Sequence, residues 1–212
     1  MSGLKIGVVA EDPTDCDAIS VLVRRIGAEV GDVRIGINKY SGKGCSKLRK
    51  KLEPWMRSMV KEGCSAAVIV HDLDRNPDNG ELNDLGALRA LLERTAVPAG
   101  FYRLICIPVE ELEAWFWSDP ALVSEVGRGT GKHSESPHLI RKPKEALIRL
   151  SIGSNRRPRY STNDNASLAE KLDLVLCAKR CRAFRELSDF VRGLVEAVAP
   201  APASPGGHPA AP

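Results

Sequence analysis

The apolar run at residues 67–70 constrains the fold of this chain most strongly, because it stops abruptly at two carboxylates. This run, Ala-Val-Ile-Val, is followed by Asp72 and Asp74 and then by a polar turn at 76–80. A short run rich in β-branched residues predicts a buried parallel strand that ends in a loop. Because side chains alternate along a strand, we expect Asp72 and Asp74 on the same side of its carboxyl end.

Three further apolar runs, at 4–10, 33–37 and 101–108, also predict strands, and helical patterns lie between them at 18–26, 46–61 and 82–94. Strands that alternate with helices favour βαβ units. The predicted class is therefore α/β, with a mostly parallel four-stranded sheet flanked by helices.

The rest of the chain is predicted to be helical at 142–150, 165–176 and 179–198, with a loop at 127–133. We expect an α/β domain over 1–119 and a basic helical extension over 120–198 that packs on it. Residues 199–212 are rich in Pro, Ala and Gly, which cannot bury a core, and this segment is predicted to be a disordered tail.

The chain has 43% hydrophobic and 27% charged residues, as globular domains do. It has no apolar stretch of about 18 residues and does not open on a signal segment, so a membrane protein is excluded and a cytoplasmic location is expected. Residues 1–126 carry 16 basic and 19 acidic side chains, whereas residues 127–212 carry 15 and 8. A metal-dependent enzyme with a polyanionic substrate needs such a division, although chance also produces it.

Acidic residues follow three of the predicted strands: Glu11 after the first, Asp72 and Asp74 after the third, and Glu110 and Glu113 after the fourth. In a parallel sheet these ends lie along one edge, so the carboxylates are expected to converge. Oxygen ligands without His or Cys suit Mg²⁺ or Mn²⁺ better than zinc.

Capping offers a second interpretation of each acidic cluster taken alone. Asp12 precedes Pro13 and is predicted to cap the first helix, with Asp15 in its first turn. Glu110 and Glu113 would share one face of a helix, whereas Glu111 would point away. It is less probable that three separate clusters at one edge of the sheet all serve only as caps than that one does. The set of three therefore favours a metal site.

Basic residues occur in two groups that suit nucleic-acid contact. Lys43, Lys47 and Lys50 lie in and after a glycine-rich loop, and Arg156, Arg157 and Arg159 precede Tyr160. Arginine and tyrosine together suit phosphate binding and base stacking, but a solvated basic surface explains both groups as well.

The segments Glu11-Asp12-Pro13-Thr14-Asp15 and Asp72-Leu73-Asp74 resemble the Toprim domain shared by topoisomerases, primases and OLD-type nucleases. The stretch 107–119, with the later Pro143-Lys144 and 169–174, is similar to small RloB-like Toprim proteins that are often associated with phage defence. The resemblance covers roughly residues 4–192. One difference is Asp12, since the family has glycine after this glutamate.

The resemblance implies that Glu11 is a general acid/base and that Asp72 and Asp74 hold Mg²⁺ or Mn²⁺. Asp15 matches a second family acid, and Glu113 is preferred to Glu110 as the acid of the third cluster. It also implies a nuclease that acts on DNA or RNA, and a partner ATPase or another defence protein. The alternative is a non-catalytic binding or regulatory subunit of a defence complex, with Trp115 and Trp117 in a docking surface. A nucleotide phosphotransferase is disfavoured because the chain lacks a glycine-rich phosphate loop.

Overall fold

The computed structural model of this chain describes residues 3–154 and 156–199. Within them, four parallel strands form one sheet in the spatial order β2-β1-β3-β4. The strands are β1 (Leu4–Ala10), β2 (Ile35–Ser41), β3 (Ala66–Val70) and β4 (Tyr102–Cys106). The α/β class and the parallel sheet are confirmed, and the arrangement is compatible with a Toprim-like fold.

Helices connect the strands and continue after the last one. The connecting helices are α1 (Pro13–Val30), α2 (Cys45–Lys61) and α3 (Leu85–Glu93). After β4 come α4 (Pro120–Val126), α5 (Pro143–Leu150), α6 (Asn165–Lys171), α7 (Leu174–Arg180) and α8 (Arg182–Val198). Short 3-10 helices span Leu112–Ser118, Pro137–Leu139 and Thr162–Asp164.

The two faces of the sheet are covered by different helices, as the alternation of side chains along β1 and β3 requires. Even-numbered residues such as Val8 and Val68 pack with α1 and the C-terminal helices, whereas Val9 and Ile69 pack with α2. At Gly7 a Cβ atom would lie 2.3 Å from the Met59 sulfur. Gly7 therefore lets α2 lie close to the middle of β1.

The C-terminal helices share the core of the α1 face. Phe184 and Val191 of α8 are buried in the same cluster as Ile19 and Ile26 of α1. The Arg25 guanidinium donates to the carbonyl oxygens of Ala169 and Leu172, at 2.7 and 2.8 Å, and so satisfies the end of α6. The predicted boundary between residues 119 and 120 stays a prediction, but apolar packing is continuous across it.

Several predicted element boundaries are wrong. The strand predicted at 33–37 is β2, Ile35–Ser41, because its register is set by pairing with β1, from Leu4↔Ile35 to Ala10↔Ser41. The helix predicted at 165–176 is two helices, α6 and α7, since Asp173 is extended and its side chain accepts from the Leu176 amide at 2.9 Å. The helix predicted from residue 179 begins at Arg182.

The predicted tail falls almost entirely outside the described residues, since only Ala199 of 199–212 is described. In the described part of the chain, no helix combines the length and the apolar character that crossing a bilayer requires.

Phe184 generates a prediction about cooperativity. Its ring is fully buried and packs edge-on against Trp115, with centroids 5.2 Å apart. Phe184→Ala should lower the free energy of unfolding by about 3 to 5 kcal/mol in one transition, because the cavity opens in a core shared by the sheet and α8. Urea unfolding followed by fluorescence and circular dichroism measures this. Val175→Ala, at a side chain that is 74% exposed, is the control and should change little. Separate transitions for sheet and helices would contradict the shared core.

Candidate metal centre

The carboxyl ends of β1 and β3 lie side by side at the position where the chain changes direction across the sheet. From β1 the chain crosses to β2 on one side, whereas β3 is followed by β4 on the other. In open α/β sheets, ligands bind in the crevice formed at such a reversal. Glu11 follows β1 directly and Asp72 and Asp74 follow β3, so all three lie at this crevice.

Asp72 and Asp74 are held by continued pairing beyond the regular strands. The Leu73 amide donates to Pro108 O at 2.9 Å, and the Glu110 amide donates to Leu73 O at 3.2 Å. Leu73 is buried on the α2 side of the sheet. Because neighbouring side chains alternate, Asp72 and Asp74 are expected on the opposite side, toward α1, and their shared side stays a prediction. Asp72 is half-buried and Asp74 is exposed.

Glu11 lies between β1 and α1, and neighbouring groups hold both its side chain and its backbone. Its Oε1 accepts from the Asp72 amide at 3.3 Å and lies 3.2 Å from Nδ1 of His71, a buried side chain. Its carbonyl oxygen accepts from the Gly44 amide at 3.1 Å. Glu11 is therefore coupled both to the β3 end and to the loop that precedes α2.

Asp15 and Glu113 complete what we call the acid cluster, which consists of Glu11, Asp15, Asp72, Asp74 and Glu113. Asp15 is half-buried in the first turn of α1, and Glu113 is 3% exposed in the 3-10 helix Leu112–Ser118. The Glu113 Oε1 accepts from Asn165 Nδ2 at 3.1 Å and lies 3.4 Å from the Tyr160 hydroxyl, which donates to Asn165 Oδ1 at 2.6 Å. Glu113 is thus anchored by the C-terminal helices.

The acid cluster carries more negative charge than its surroundings offset. Burial raises the pKa of Asp72 well above its usual value, and the charges of Asp15, Glu11 and Glu113 raise it further. Burial and the charges of Glu113 and Asp12 raise the pKa of Asp15 to about 7. The charges that act on Asp72 and Asp15 come from elements distant in the sequence, so these acids interact electrostatically across the end of the sheet.

The pKa values of Glu11 and Glu113 are raised as well. For Glu11, burial is the main cause and Asp74 adds to it, whereas His71 and the Asp72 amide lower the value. For Glu113, burial outweighs the hydrogen bond from Asn165. A hard cation would offset this charge, and the donor chemistry, which is carboxylate oxygen, suits Mg²⁺ or Mn²⁺. Nevertheless, across residues 3–154 and 156–199, no three His, Cys, Asp or Glu side chains are close enough together to hold a metal ion.

Glu110 and Glu111 do not have the geometry that a helix would give them. The prediction that Glu110 and Glu113 share a helical face is wrong, because Glu110 precedes the 3-10 helix in a left-handed conformation, with φ of 65°. The buried Glu110 carboxylate pairs with Arg75 and accepts from the Lys142 amide at 3.2 Å. The Glu111 carboxylate accepts from the Lys144 amide and side chain, at 3.1 and 2.7 Å. These two acids thus anchor the start of α5.

Asp12 caps α1 as predicted. Its Oδ1 accepts from the Thr14 amide at 2.9 Å and from the Thr14 hydroxyl at 2.8 Å. Its backbone is extended, with φ of −119° and ψ of 150°, a conformation open to any residue. An aspartate at this position therefore causes no backbone strain.

The two basic groups lie on different parts of the surface, and all their side chains are exposed. Lys43 belongs to the loop that donates to Glu11, and Lys47 and Lys50 lie in the first turns of α2. The second group, Arg156, Arg157 and Arg159, directly precedes Tyr160, the neighbour of Glu113. Both groups therefore adjoin residues that contact the acid cluster.

Sequence reasoning missed the residues that support the acid cluster, namely His71, Lys144, Tyr160 and Asn165. His71 is 2% exposed, and its Nε2 atom has no hydrogen-bond partner among the described residues. The position of His71, between the apolar run 67–70 and Asp72, is a signal in the sequence that could have identified it. Tyr160 and Asn165 are 47 and 52 residues from Glu113, so no local pattern reports their contact.

The chain was compared with known families, proteins and structures. No protein-family model matches it, and no curated protein sequence is significantly similar. A solved structure of the C-terminal region of the Xanthomonas campestris pv. campestris OLD protein is similar over 92% of this chain and 95% of that one. The sequence identity is 15% and the TM-score is 0.40, values too low to support a functional argument.

The raised pKa of Asp15 predicts how stability depends on pH. Because this pKa moves from its usual 3.8 to about 7 on folding, the folded protein retains a proton that the unfolded chain loses. The stability that Asp15 contributes is present below about pH 4 and is lost as pH rises through about 7. In EDTA at pH 8, Asp15→Asn should therefore raise the free energy of unfolding by roughly 1 to 2 kcal/mol, after discounting partial exposure.

Urea unfolding at pH 4 and pH 8 tests this. The two proteins should differ much less at pH 4, where the carboxyl group is protonated in the folded state. Asp32→Asn, an exposed residue just beyond the end of α1, is the matched control. An Asp15→Asn protein that is less stable than the wild type at pH 8 would show that the carboxylate is held by attraction.

Proposed function

We propose that this chain is a metal-dependent phosphodiesterase of the Toprim type that cleaves nucleic acid. One observation carries the proposal: beyond the effect of burial, the charges of Asp15, Glu11 and Glu113 raise the pKa of Asp72, and the charge of Glu113 also raises that of Asp15, so acids from separate elements interact at the carboxyl edge of the sheet. Buried carboxylates with few neighbouring cations lower the stability of a fold, so such a set favours a role in binding a ligand. A role in phage defence and a partner ATPase or another defence protein rest on the sequence resemblance alone.

Asp72 and Asp74, with Asp15 and Glu113, are the residues that would hold Mg²⁺ or Mn²⁺. Rotation of their side chains would be needed, and Asp74 is exposed and so has room to rotate. The bound ion would offset the charge that develops on the phosphate oxygens. Glu110 is a weaker candidate, because Arg75 and the Lys142 amide already engage its carboxylate.

Glu11 is suited to proton transfer. Burial raises the pKa of its carboxyl group toward neutrality, where a general acid/base works best. The Asp72 amide and His71 Nδ1 fix the orientation of this carboxyl group beside the proposed ligands. Glu11 can therefore deliver or accept a proton at the same crevice.

The loop before α2 is suited to hold the nucleic-acid backbone. Gly44, with φ of 111°, precedes the first turn of α2, which has no side-chain cap and no acidic residue. Lys43 and Lys47 add positive charge next to the segment that contacts Glu11. A phosphate there would be bound beside the acid cluster.

The docking surface expected for the non-catalytic alternative does not form. Trp115 is 2% exposed and packs on Phe184, and Trp117 is half-buried and donates to Pro143 O at 3.2 Å. The two tryptophans therefore give no support to that alternative.

Asp72→Asn tests the metal hypothesis by two independent readouts. Millimolar Mg²⁺ or Mn²⁺ should raise the melting temperature of the wild type and leave that of the variant unchanged, because the variant lacks a ligand. Cleavage of DNA and RNA should fall by at least about 100-fold in the variant, and Glu11→Gln should lower it by about 10²- to 10⁴-fold.

Asp78→Asn, an exposed aspartate in the nearby turn, is the matched control for both readouts. If Mg²⁺ and Mn²⁺ shift neither melting curve and no nucleic acid is cut, the proposed function is wrong. Anomalous density between Asp72 and Asp74 in a crystal soaked in Mn²⁺ would identify the ion directly.

Lys43 and Lys47 yield a prediction about substrate binding. The double variant Lys43→Glu/Lys47→Glu should weaken binding of a single-stranded oligonucleotide and reduce the slope of log K against log salt by about 0.7 for each lost phosphate contact. Fluorescence anisotropy between 50 and 200 mM NaCl, in EDTA to prevent cleavage, measures it. Arg24→Glu/Lys61→Glu, which makes the same charge change at exposed positions elsewhere, should retain the wild-type slope. Equal slopes in both variants would exclude the loop as the backbone site.

A further inference from the structure

A cavity of about 360 Å³ lies beside the junction of α7 and α8, away from the acid cluster. Its volume is within the range of pockets that bind small molecules, about 300 to 1,000 Å³. It lies between the start of α3, the segment after β4 and the first turn of α8. No residue of the acid cluster lines it.

The floor of this cavity is apolar and rigid. Ile107, Val109, Ala114 and Trp115 line it, and three of them are at most 3% exposed. The Trp115 ring packs edge-on against Phe184, and Leu85 of α3 also lines the cavity. Such a floor binds the apolar part of a ligand at little entropic cost.

The rim, in contrast, is strongly basic. Five arginine or lysine residues, one histidine and one acidic residue line the cavity: Arg89, Lys179, Arg180, Arg182, Arg185, His138 and Glu186. Glu186 is engaged by Arg89 and Arg182, at 3.0 and 2.9 Å, and Arg180 is engaged by Glu135. Within 3–154 and 156–199, neither Lys179 nor Arg185 forms an ion pair, so two full positive charges face solvent at the rim.

The start of α8 adds to the positive electrostatic potential at the rim of the cavity. Its N-cap residue, Cys181, makes no side-chain capping bond, and its first turn contains no acidic residue. Arginine is the wrong sign for a helix N-terminus, yet Arg182 and Arg185 both lie in the first turns of α8. Arg182 is paired with Glu186, so Arg185 is the cation near this N-terminus that remains available to an external anion.

We propose that this cavity binds a nucleoside phosphate, with the base on the apolar floor and the phosphate between Lys179 and Arg185. A ligand for this cavity needs a flat apolar end and an anionic end, and a nucleoside phosphate has both. Guanidinium groups donate paired hydrogen bonds to phosphate oxygens, which suits an arginine-rich rim. The site does not depend on the metal or on the proposed phosphodiesterase.

Calorimetry in EDTA with AMP, adenosine, inorganic phosphate and octanoate tests the proposal. AMP should bind at least about tenfold more tightly than the other three, because it alone uses both floor and rim. Phosphate binding as tightly as AMP would show a bare anion site. Octanoate binding more tightly than AMP would show a fatty-acid site. Absence of AMP binding at millimolar concentration would also overturn the proposal.

Variants locate the site. Lys179→Glu/Arg185→Glu should weaken AMP binding at least about tenfold, whereas Arg24→Glu/Lys61→Glu, with the same change in net charge, should not. Leu85→Ala should weaken AMP binding but not phosphate binding.

Asp72→Asn/Asp74→Asn should bind AMP as the wild type does, even if it has lost all nuclease activity. AMP binding that needs Mg²⁺ and is lost in Asp72→Asn/Asp74→Asn would place the ligand at the acid cluster and overturn this assignment.

Discussion

Repulsion among carboxylates at one edge of the sheet is the constraint on which the rest of this structure depends. Two unit charges about 4 Å apart repel by roughly 4 kcal/mol at an effective dielectric near 20, and here five acids are brought into one region. Burial is the main cause of the raised pKa values of Glu11, Asp15, Asp72 and Glu113, and the charge of at least one nearby acid raises each value further. A fold can contain such unfavourable groups when the packing around them is strong enough to hold the carboxylates in place.

The packing that does so comes from both ends of the chain. Parallel pairing fixes β1 beside β3, and the backbone bonds beyond β3 and β4 carry the register on to Asp72 and Asp74. Glu113, in contrast, is fixed by Tyr160 and Asn165, which belong to the C-terminal segment. The C-terminal helices therefore do more than cover one face of the sheet, since without them one member of the acid cluster would lack its anchors.

Three strands of the sheet could be predicted closely because each is a short apolar run, whereas the bounds of β2 were missed because its second half, 38–41, is largely polar. The shared side of Asp72 and Asp74 is predicted from alternation alone, and the convergence of Glu11 with them followed from the rule that parallel strands end at one edge. The backbone of Glu110 could not be predicted, because its left-handed conformation is set by Leu73, Arg75 and Lys142. Local periodicity contains no information about such partners.

Glu110, Glu111 and Glu113 show why residue type alone does not identify a ligand. All three lie within four residues, yet the first pairs with Arg75, the second with Lys144, and only the third accepts solely from neutral groups, Tyr160 and Asn165. A carboxylate already paired with a cation has little electrostatic reason to bind a second one, whereas a buried carboxylate with a raised pKa and only neutral donors would be stabilised in its charged form by a cation. Among the described residues, no cation pairs with Glu113, whereas Glu110 and Glu111 hold the start of α5 in position.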